Sequence, residues 1–231
     1  MSEHSALFSQ QAYEMVKSGN KDERLKKINK NISHTGFEAS GSSNRDMLHL
    51  VNKTTGEHHI SVRGTDASGG LKTGEDIKTD ALFGLGMSDK HFQKKIKKID
   101  KLVKAIPHDA KISASGHSIG GGIITGAMKT KRNVRRRISE VNTYNPAVAS
   151  LTPKSSKAIE KDLKNKITHH RNKHDFVSAS ILPNNLVGKV KEYEPKKLNK
   201  PKTIPKKIKH LFSSLDQLKH HTIDQFIPDK K

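Results

Sequence analysis

The sequence predicts a single α/β domain over residues 1–231, and three observations carry this prediction. Stretches with alternating apolar and polar residues, typical of strands, are interspersed with stretches whose apolar residues recur at helical spacing. The length of 231 residues fits one medium-sized domain. Hydrophobic residues make up only 32% of the chain, but they are clustered enough to form a core.

The N-terminal part predicts two helices and a hairpin. Residues 5–16 have an apolar face, and Ser5 stands where a helix cap is needed. A short second helix is expected over residues 22–28. Residues 46–51 and 58–63 alternate apolar and polar residues on either side of a turn-rich connection, which is typical of a β-hairpin.

The middle of the chain predicts a loop, an amphipathic helix and a strand. Residues 64–88 contain six glycines and are expected to form a loop. Residues 89–106 predict a helix, because their apolar residues form one stripe and lysines cover the opposite side. Pro107 ends this helix, and residues 110–114 predict a short strand.

The stretch SGHSIGGG, residues 115–122, lies between that strand and a helix expected over residues 123–129. Its Gly-x-Ser-x-Gly core is a weak pattern alone, but a strand–turn–helix setting is what a nucleophilic serine at a sharp turn requires. The turn has room only for small residues two positions before and after Ser118, where Gly116 and Gly120 stand. The free N–H groups of the following helix would favour a developing oxyanion. The simpler alternative is a glycine-rich turn that only packs closely.

The remaining elements are expected to continue the α/β pattern around a basic connection. Residues 195–209 contain three prolines and seven lysines, which favours an extended, solvated connection within the domain. The other expected elements are strands at residues 138–144, 166–170 and 188–193, the last at a sheet edge, a helix at residues 153–164 and a helical or mixed segment at residues 211–226.

Charge is unevenly distributed along the chain. The formal net charge is +21. Residues 1–90 contain 12 basic and 12 acidic residues, whereas residues 91–231 contain 32 and 11. Such an excess favours a polyanionic partner, that is nucleic acid, an anionic membrane or an acidic substrate. The alternative is a lysine-rich surface that is merely solvated.

Several kinds of site are excluded. The absence of cysteine excludes disulfides, thiolate chemistry and Cys-ligated zinc. No spacing of His, Asp and Glu indicates a metal site, and no cofactor is expected. No apolar run reaches the roughly 20 residues of a membrane span. Residues 1–23 lack the pattern of a secretory signal, so a cytoplasmic or virion-associated location is expected.

Several of these stretches together resemble the fungal-type class 3 lipases, a branch of the α/β-hydrolase fold. The most specific are ISVRGTD at residues 60–66 and the serine stretch, in which Ile119 replaces the family's leucine. At residues 145–146, Asn-Pro stands where the family usually has Gly-x-Pro. The other matching stretches are DIKTDALFGLG at residues 76–86, RNKHDFVS at residues 171–178 and HTIDQF at residues 221–226.

The resemblance covers about residues 45–226 and implies an α/β-hydrolase-like mixed sheet flanked by helices. It also implies a triad in which Ser118 is the nucleophile, His221 the base and Asp175 the partner of the base. The order Ser, Asp, His along the chain agrees with this assignment. The chemistry also fits, because a serine needs a base, an imidazole titrates near neutrality and a carboxylate fixes its tautomer.

The resemblance further implies an oxyanion hole formed by the backbone N–H groups of Ile119 and Thr65. His220 competes with His221 as the base. Asp224 competes with Asp175, although it is closer in the chain to the histidine than the family pattern requires. His117 is expected to pack behind the serine.

The expected function is that of a serine ester hydrolase that acts on a lipid or phospholipid through an acyl-enzyme. The segment DASGGLKTGED at residues 66–76, after Thr65, carries Leu71 as its only large apolar residue, and aromatic residues make up 4% of the chain. Both features favour an esterase or phospholipase with open access over a triglyceride lipase with a lid.

The alternative from another class is a basic nucleic-acid- or virion-associated protein on a hydrolase scaffold. The basic runs at residues 129–137 and 195–209 favour contacts with phosphates. They lack interleaved aromatic residues, so nucleic acid is less expected than an anionic membrane surface. The first run is expected at the edge of the sheet far from Ser118. Binding to an anionic surface is assigned to lysines of the second run, Lys196, Lys197, Lys206 and Lys207.

Overall fold

The computed structural model describes residues 2–64, 89–147, 155–173, 175, 187–194 and 223–227. Within these ranges, helices cover both faces of a seven-stranded sheet. The strands follow one another across the sheet in chain order, as β1 (Phe37–Ala39), β2 (Met47–Asn52), β3 (His58–Val62), β4 (Ile112–His117), β5 (Ile138–Tyr144), β6 (Ile167–Asn172) and β7 (Lys189–Tyr193).

Six α-helices and four 3-10 helices lie in the described part of the chain. The α-helices are α1 (Ser5–Gln11), α2 (Lys21–Ile32), α3 (Asp89–Ala105), α4 (Ile119–Thr130), α5 (Arg132–Arg137) and α6 (Lys157–Leu163). The 3-10 helices are Ser2–His4, Ala12–Val16, Ser33–Thr35 and Ile223–Phe226. None of the helices in these ranges has the length and apolarity needed to span a bilayer.

The sheet is mixed, and its parallel part sets up the candidate site. Strands β1, β2 and β3 pair in antiparallel fashion, which confirms the predicted hairpin of β2 and β3. Strands β3 to β7 pair in parallel. The predicted α/β-hydrolase-like mixed sheet flanked by helices is therefore confirmed. Because parallel strands point the same way, the C-terminal ends of β3 to β7 lie along one edge, called here the C-terminal edge.

The larger core lies between the sheet and helices α3 to α6. Helix α3 contributes an apolar stripe at helical spacing, in which Phe92, Ile96 and Ile99 are fully buried. From the sheet, alternate residues such as Ile60 and Ile112 point into the same cluster. Burial of each such side chain stabilises the fold by about 1.5–3 kcal/mol. This core therefore fixes α4 and the β4 strand that precedes it.

Helices α1 and α2 cover the opposite face, which is apolar over β1 and β2 but polar over β3 and β4. The polar part is a buried network of hydroxyl and imidazole groups. Ser9 Oγ on α1 donates to Ser115 Oγ at 2.8 Å, and Ser115 Oγ donates to Ser61 Oγ at 3.1 Å. The ring of His59 bonds Ser113 Oγ at 2.7 Å and Ser115 Oγ at 2.9 Å. Hydrogen bonds, rather than apolar contacts alone, thus fix α1 on the sheet.

The N-terminal helices differ from the prediction in their ends. The expected helix over residues 5–16 changes to a 3-10 helix after Gln11. Ser5 does not cap it, since His4 is the N-cap residue and the Ser5 hydroxyl bonds Tyr144 Oη at 2.6 Å instead. The second helix is longer than predicted because Asn20 begins it with a capping box.

The elements around Ser118 also differ from the prediction. Strand β4 continues to His117, and α4 begins at Ile119 rather than at residue 123. The turn is therefore one residue long, and the glycines after it belong to the helix. Apart from Gly64, the predicted loop over residues 64–88 lies outside the described residues, as does the basic connection over residues 195–209.

Four histidines are held neutral within the sheet. Desolvation by burial lowers the pKa of His59 to about 3 and the pKa values of His49, His169 and His170 to about 4. Each ring is hydrogen bonded as a neutral group; His169 Nε2–H, for example, donates to the Val187 carbonyl at 3.1 Å. Protonation would put a charge in these sites without a carboxylate to pair with it among their hydrogen-bond partners.

We expect the fold to lose stability as the pH falls from about 6.5 to about 4. In this window the unfolded chain, with histidine pKa values near 6.5, binds more protons than the fold does. Each neutral histidine contributes a slope of at most about 1.4 kcal/mol per pH unit. Urea unfolding at pH 7.5, 6 and 5 measures the effect.

The variant His59→Gln should show a shallower pH dependence than the wild type, whereas the exposed His108→Gln should retain the wild-type dependence. Equal slopes for all three proteins would contradict the prediction.

Candidate active site

Ser118 forms the one-residue turn between β4 and α4, at the C-terminal edge of the sheet. Its backbone has φ 54° and ψ −129°, a conformation that costs a residue other than glycine about 1–3 kcal/mol. Its N–H donates to the Tyr144 carbonyl at 3.0 Å, and its carbonyl accepts from Gly121 N–H at 2.9 Å and Ala147 N–H at 3.0 Å. Backbone strain held by its surroundings at a half-buried serine is typical of a functional site.

The turn is possible because glycines let β3, β4 and α4 approach one another. A Cβ atom on Gly120 would lie 2.1 Å from the Val62 carbonyl oxygen. A Cβ atom on Gly116 would lie 2.6 Å from the Gly120 carbonyl oxygen. Real Cβ atoms do not come so close to backbone atoms. The small residues on both sides of Ser118 are thus a steric requirement of the turn.

Two backbone segments beside Ser118, the start of α4 and the residues that follow β3, are expected to supply the oxyanion donors. Ile119 is the first residue of α4, so its N–H is one of the helix N-terminal groups that have no intrahelical partner. On the other side, a Cβ atom on Gly64 would lie 3.1 Å from Ser118 Cβ and 2.7 Å from the His117 carbonyl oxygen. Thr65, the second expected donor, follows Gly64 and lies outside the described residues.

Asp175 is fully buried beyond the end of β6, at the same edge of the sheet. Its N–H donates to the Asn172 carbonyl at 3.1 Å. Strand β5 separates β6 from β4, and all three strands are parallel, so Asp175 and Ser118 leave the sheet in the same direction. An acidic side chain without solvent exposure has to be hydrogen bonded if it is to stay ionised.

Asn145 braces the edge between these two residues, although the sequence marked it only as a departure from Gly-x-Pro. It has a positive φ of 40°, which asparagine tolerates better than most residues. Its N–H donates to the His170 carbonyl at 2.8 Å, and its Oδ1 accepts from Asn172 N–H at 2.8 Å. Asn145 therefore links the end of β5 to the turn that carries Asp175.

The described C-terminal residues pack against the same edge. Ile223 is 7% exposed and lies in a small cluster with Ala6 and Tyr144, the residue whose carbonyl holds Ser118 N–H. Both candidate bases, His220 and His221, lie outside the described residues just before this segment. The four lysines assigned to anionic surfaces, Lys196, Lys197, Lys206 and Lys207, also lie outside them.

Tyr13 is the residue near Ser118 that sequence reasoning missed. His117, which is expected to pack behind the serine, forms a hydrogen bond of 2.8 Å between its Nδ1 and Tyr13 Oη. These residues are 104 positions apart in the chain. Tyr13 also precedes the region that carries the resemblance, so no motif pointed to it. In the ranges that the structure covers, no group of His, Asp and Glu side chains could hold a metal ion.

Comparison with known proteins gives one family and one solved structure. The model of the phospholipase-like family described as "Tle-like phospholipase domain" matches residues 4–181. No curated protein matches the chain. The crystal structure of a mutant of MDLA from Penicillium cyclopium matches with 15% identity and a TM-score of 0.44, over 89% of this chain and 80% of that chain.

We expect Gly120→Ala to disrupt the turn, because its Cβ atom would overlap the Val62 carbonyl oxygen at 2.1 Å. Overpacking against a rigid backbone costs about 1–3 kcal/mol or more. Urea unfolding measures this loss. Gly41→Ala is the matched control, since no atom lies within 4 Å of its Cβ position. Equal stability of the two variants would show that the close approach of β3 and α4 is not required.

Proposed function

The chain belongs to the phospholipase-like family with the Tle-like phospholipase domain, and on this premise we propose that it is a serine ester hydrolase. Its substrate would be a lipid, in particular a glycerophospholipid, cleaved at a carboxylic ester through an acyl-enzyme. The observation that carries the proposal is the strained one-residue turn of Ser118 between a parallel strand and a helix N-terminus.

In the proposed reaction, Ser118 Oγ attacks the ester carbonyl carbon while an imidazole takes the hydroxyl proton. The negative charge moves to the carbonyl oxygen and is stabilised by N–H groups of Ile119 and Thr65. The tetrahedral intermediate then breaks its bond to the alcohol, which leaves with the proton from the imidazole. Water, activated by the same base, releases the fatty acid and restores Ser118.

His221 is the proposed base. Its support is the position of Ile223, two residues later, which packs on Tyr144 beside the backbone of Ser118. Two residues of chain span at most about 7 Å, and this short separation from Ile223 supports the choice of a base near the end of the chain. His220 precedes Ile223 by three residues and is the rival, to be separated by mutation.

Asp175 is the proposed partner of the base. Its support is its complete burial at the C-terminal edge and the bracing of its turn by Asn145 and Asn172. Its rival, Asp224, is exposed and accepts a hydrogen bond from Gln10 Nε2 at 2.6 Å, which favours a structural part for that carboxylate.

The more specific resemblance to the fungal-type class 3 lipases is also part of this proposal. It rests on the Arg63-Gly64-Thr65 stretch that directly follows β3 and on the serine stretch. The position of Gly64 supports it, since a Cβ atom placed there would lie 3.1 Å from Ser118 Cβ and the loop that would supply one oxyanion donor follows this residue. The scarcity of aromatic residues, 4% of the chain, favours a phospholipase or esterase over a triglyceride lipase.

We predict that a fluorophosphonate labels Ser118 and that Ser118→Ala abolishes esterase activity. His221→Ala and Asp175→Asn should each lower kcat by about 10³-fold or more, as the loss of a triad member does. Label mass spectrometry and p-nitrophenyl ester hydrolysis measure these effects. His220→Ala is the matched control and should keep its activity. Labelling at a different serine would refute the nucleophile, and an inactive His220→Ala with an active His221→Ala would move the base by one residue.

We further propose that the basic connection over residues 195–209 draws the enzyme to anionic membranes. The charge asymmetry of the chain supports this, as does the position of the other basic run. Helix α5, which contains Arg132 and Arg136, leads directly into the start of β5 and therefore lies at the edge opposite Ser118. A membrane that contacts α5 would not meet the nucleophile.

We predict that the enzyme binds and hydrolyses anionic vesicles better than neutral ones, and that salt from about 50 to 500 mM weakens both effects through screening. Each lysine near an anionic surface contributes about 1 kcal/mol. Lys-to-Gln changes at Lys196, Lys197, Lys206 and Lys207 should reduce co-sedimentation with these vesicles.

Arg132→Gln with Arg136→Gln removes two exposed charges on α5 and serves as the control, which should bind like the wild type. Binding lost only in this control would instead favour the alternative of a polyanion-binding protein.

A further inference from the structure

Helix α3 presents a row of lysines on the side that faces away from the core. Its 17 residues include seven lysines, two aspartates and no glutamate. Four of the lysines recur every three or four residues and are exposed; they are called here the lysine stripe and are Lys90, Lys94, Lys97 and Lys101. At about 100° of rotation per residue, the stripe lies within a sector of about 60°. The buried Phe92, Ile96 and Ile99 lie on the opposite side of the helix.

The other three lysines of α3 have carboxylate partners. Lys95 and Lys98 both pair with Asp46, directly before β2, and Lys104 pairs with Asp100 at 2.8 Å. Among the residues that the structure describes, no carboxylate forms an ion pair with the lysine stripe. The stripe is therefore a row of four unneutralised charges, about 16 Å long at a rise of 1.5 Å per residue.

The stripe differs from an ordinary solvated helix surface, on which charges of both signs alternate. Helix α2 is of the ordinary kind, since Asp22 and Glu23 accompany its lysines and Lys27 pairs with Glu14. Within the stripe, lysines follow one another at spacings of four and three residues, and like charges at such spacings destabilise a helix. A bound polyanion would remove this repulsion, which is the first reason to expect a partner.

The stripe lies along the side of the domain, away from Ser118. Near the start of α3, Phe92 packs against α4, where a Cβ atom on Gly126 would lie 2.9 Å from its Cε1 atom. Gly126 is eight residues after Ser118, and eight residues of helix rise about 12 Å. At its other end, α3 leads into the start of β4, and the Arg137 guanidinium, just before β5, donates to the Pro107 carbonyl at 2.6 Å.

The chemistry of the stripe favours nucleic acid over a protein or a membrane. An ammonium group is a hydrated point charge that binds phosphate without a fixed geometry. Protein interfaces are depleted in lysine and have an apolar core, whereas the exposed large apolar residues of the described ranges, Val190 and Tyr193, lie on β7. A membrane that lay on the stripe would contact the side of the domain and would not meet Ser118.

The stripe also favours a duplex over a single strand. Single strands are held by aromatic rings on which the bases stack. Phe92 is the one Phe, Tyr or Trp residue of α3, and it is buried. Proteins that select duplex RNA contact its 2′-hydroxyl groups, whereas the ammonium groups of the stripe offer no acceptor to such a group. Contacts with the phosphates of duplex DNA need neither feature.

We propose that the lysine stripe binds the phosphate backbone of double-stranded DNA without sequence preference. The inference is independent of the proposed esterase function, since it uses no residue of the candidate active site. Over about 16 Å, one strand of a duplex carries about five phosphates, one for every 3.4 Å of its axis. Four ammonium groups can therefore each meet a phosphate. Each contact releases a condensed counterion, which drives binding and makes it depend on salt.

The test is the fluorescence anisotropy of a labelled DNA duplex titrated with the full chain, at salt concentrations from about 50 to 200 mM. The stripe variant combines Lys90→Gln, Lys94→Gln, Lys97→Gln and Lys101→Gln. Each phosphate contact contributes about 0.9 to the slope of log K against log salt, so this slope should become shallower by about 3 to 4. At about 50 mM salt the affinity should fall at least about tenfold, and equally for two duplexes of unrelated sequence.

The matched control removes four exposed lysines from α2 and α6, by Lys26→Gln, Lys30→Gln, Lys157→Gln and Lys161→Gln together. It changes the net charge by the same amount but leaves the stripe intact, so its slope should stay within about 1 of the wild type. Lysine and glutamine have similar helix propensities, so both variants should unfold thermally at about the wild-type temperature.

The inference is overturned if the stripe variant keeps the wild-type slope and affinity. It is also overturned if the control loses as much affinity as the stripe variant, because net charge alone would then explain the binding. A stripe variant that binds the DNA duplex normally but has lost binding to anionic vesicles would assign the stripe to a membrane. A loss confined to duplex RNA would assign it to RNA.

Discussion

The contact between the Val62 carbonyl and Gly120 is the constraint on which the candidate site depends. With 2.1 Å between that oxygen and the place of a Cβ atom, helix α4 lies directly against the end of β3. Strand β4 must then turn into α4 within one residue, and Ser118 takes the strained φ of 54°. The core packing of α4 and the hydrogen bonds of the Ser118 backbone hold this conformation in place.

The two faces of the sheet are held to their helices by different kinds of contact. On one face, α3 to α6 bury an apolar cluster that provides most of the hydrophobic core. On the other, α1 is fixed over β3 and β4 by serine and histidine side chains, whose directional bonds allow few alternative positions. This arrangement brings the N-terminal segment to the C-terminal edge, where Tyr13 Oη is hydrogen bonded to His117 Nδ1. Burial in this network lowers the pKa of His59 to about 3, so acid is expected to destabilise the polar face.

The parallel strands also separate two kinds of chemistry. Ser118, Asn145 and Asp175 follow the C-terminal ends of β4, β5 and β6, which are adjacent parallel strands. All three residues therefore lie at the same edge of the sheet. Helix α5, with its arginines, precedes a strand and therefore lies at the other edge. Electrostatic attraction at α5 falls off within about one Debye length, roughly 8 Å at physiological salt, and the seven residues of β5 lead from α5 to the C-terminal edge.

The sequence by itself determined the α/β class, the hairpin, the amphipathic α3 and the glycine-bracketed serine, because these depend on local periodicity and on steric limits within a few residues. It did not determine that Ser5 bonds Tyr144, that Asn145 links two strand ends or that Tyr13 meets His117. The contacts of Ser5 and Tyr13 join residues more than 100 positions apart in the chain. The contact of Asn145 depends on a turn whose backbone angles arise from packing. Only the tertiary structure decides them, since their partners become neighbours once the sheet has formed.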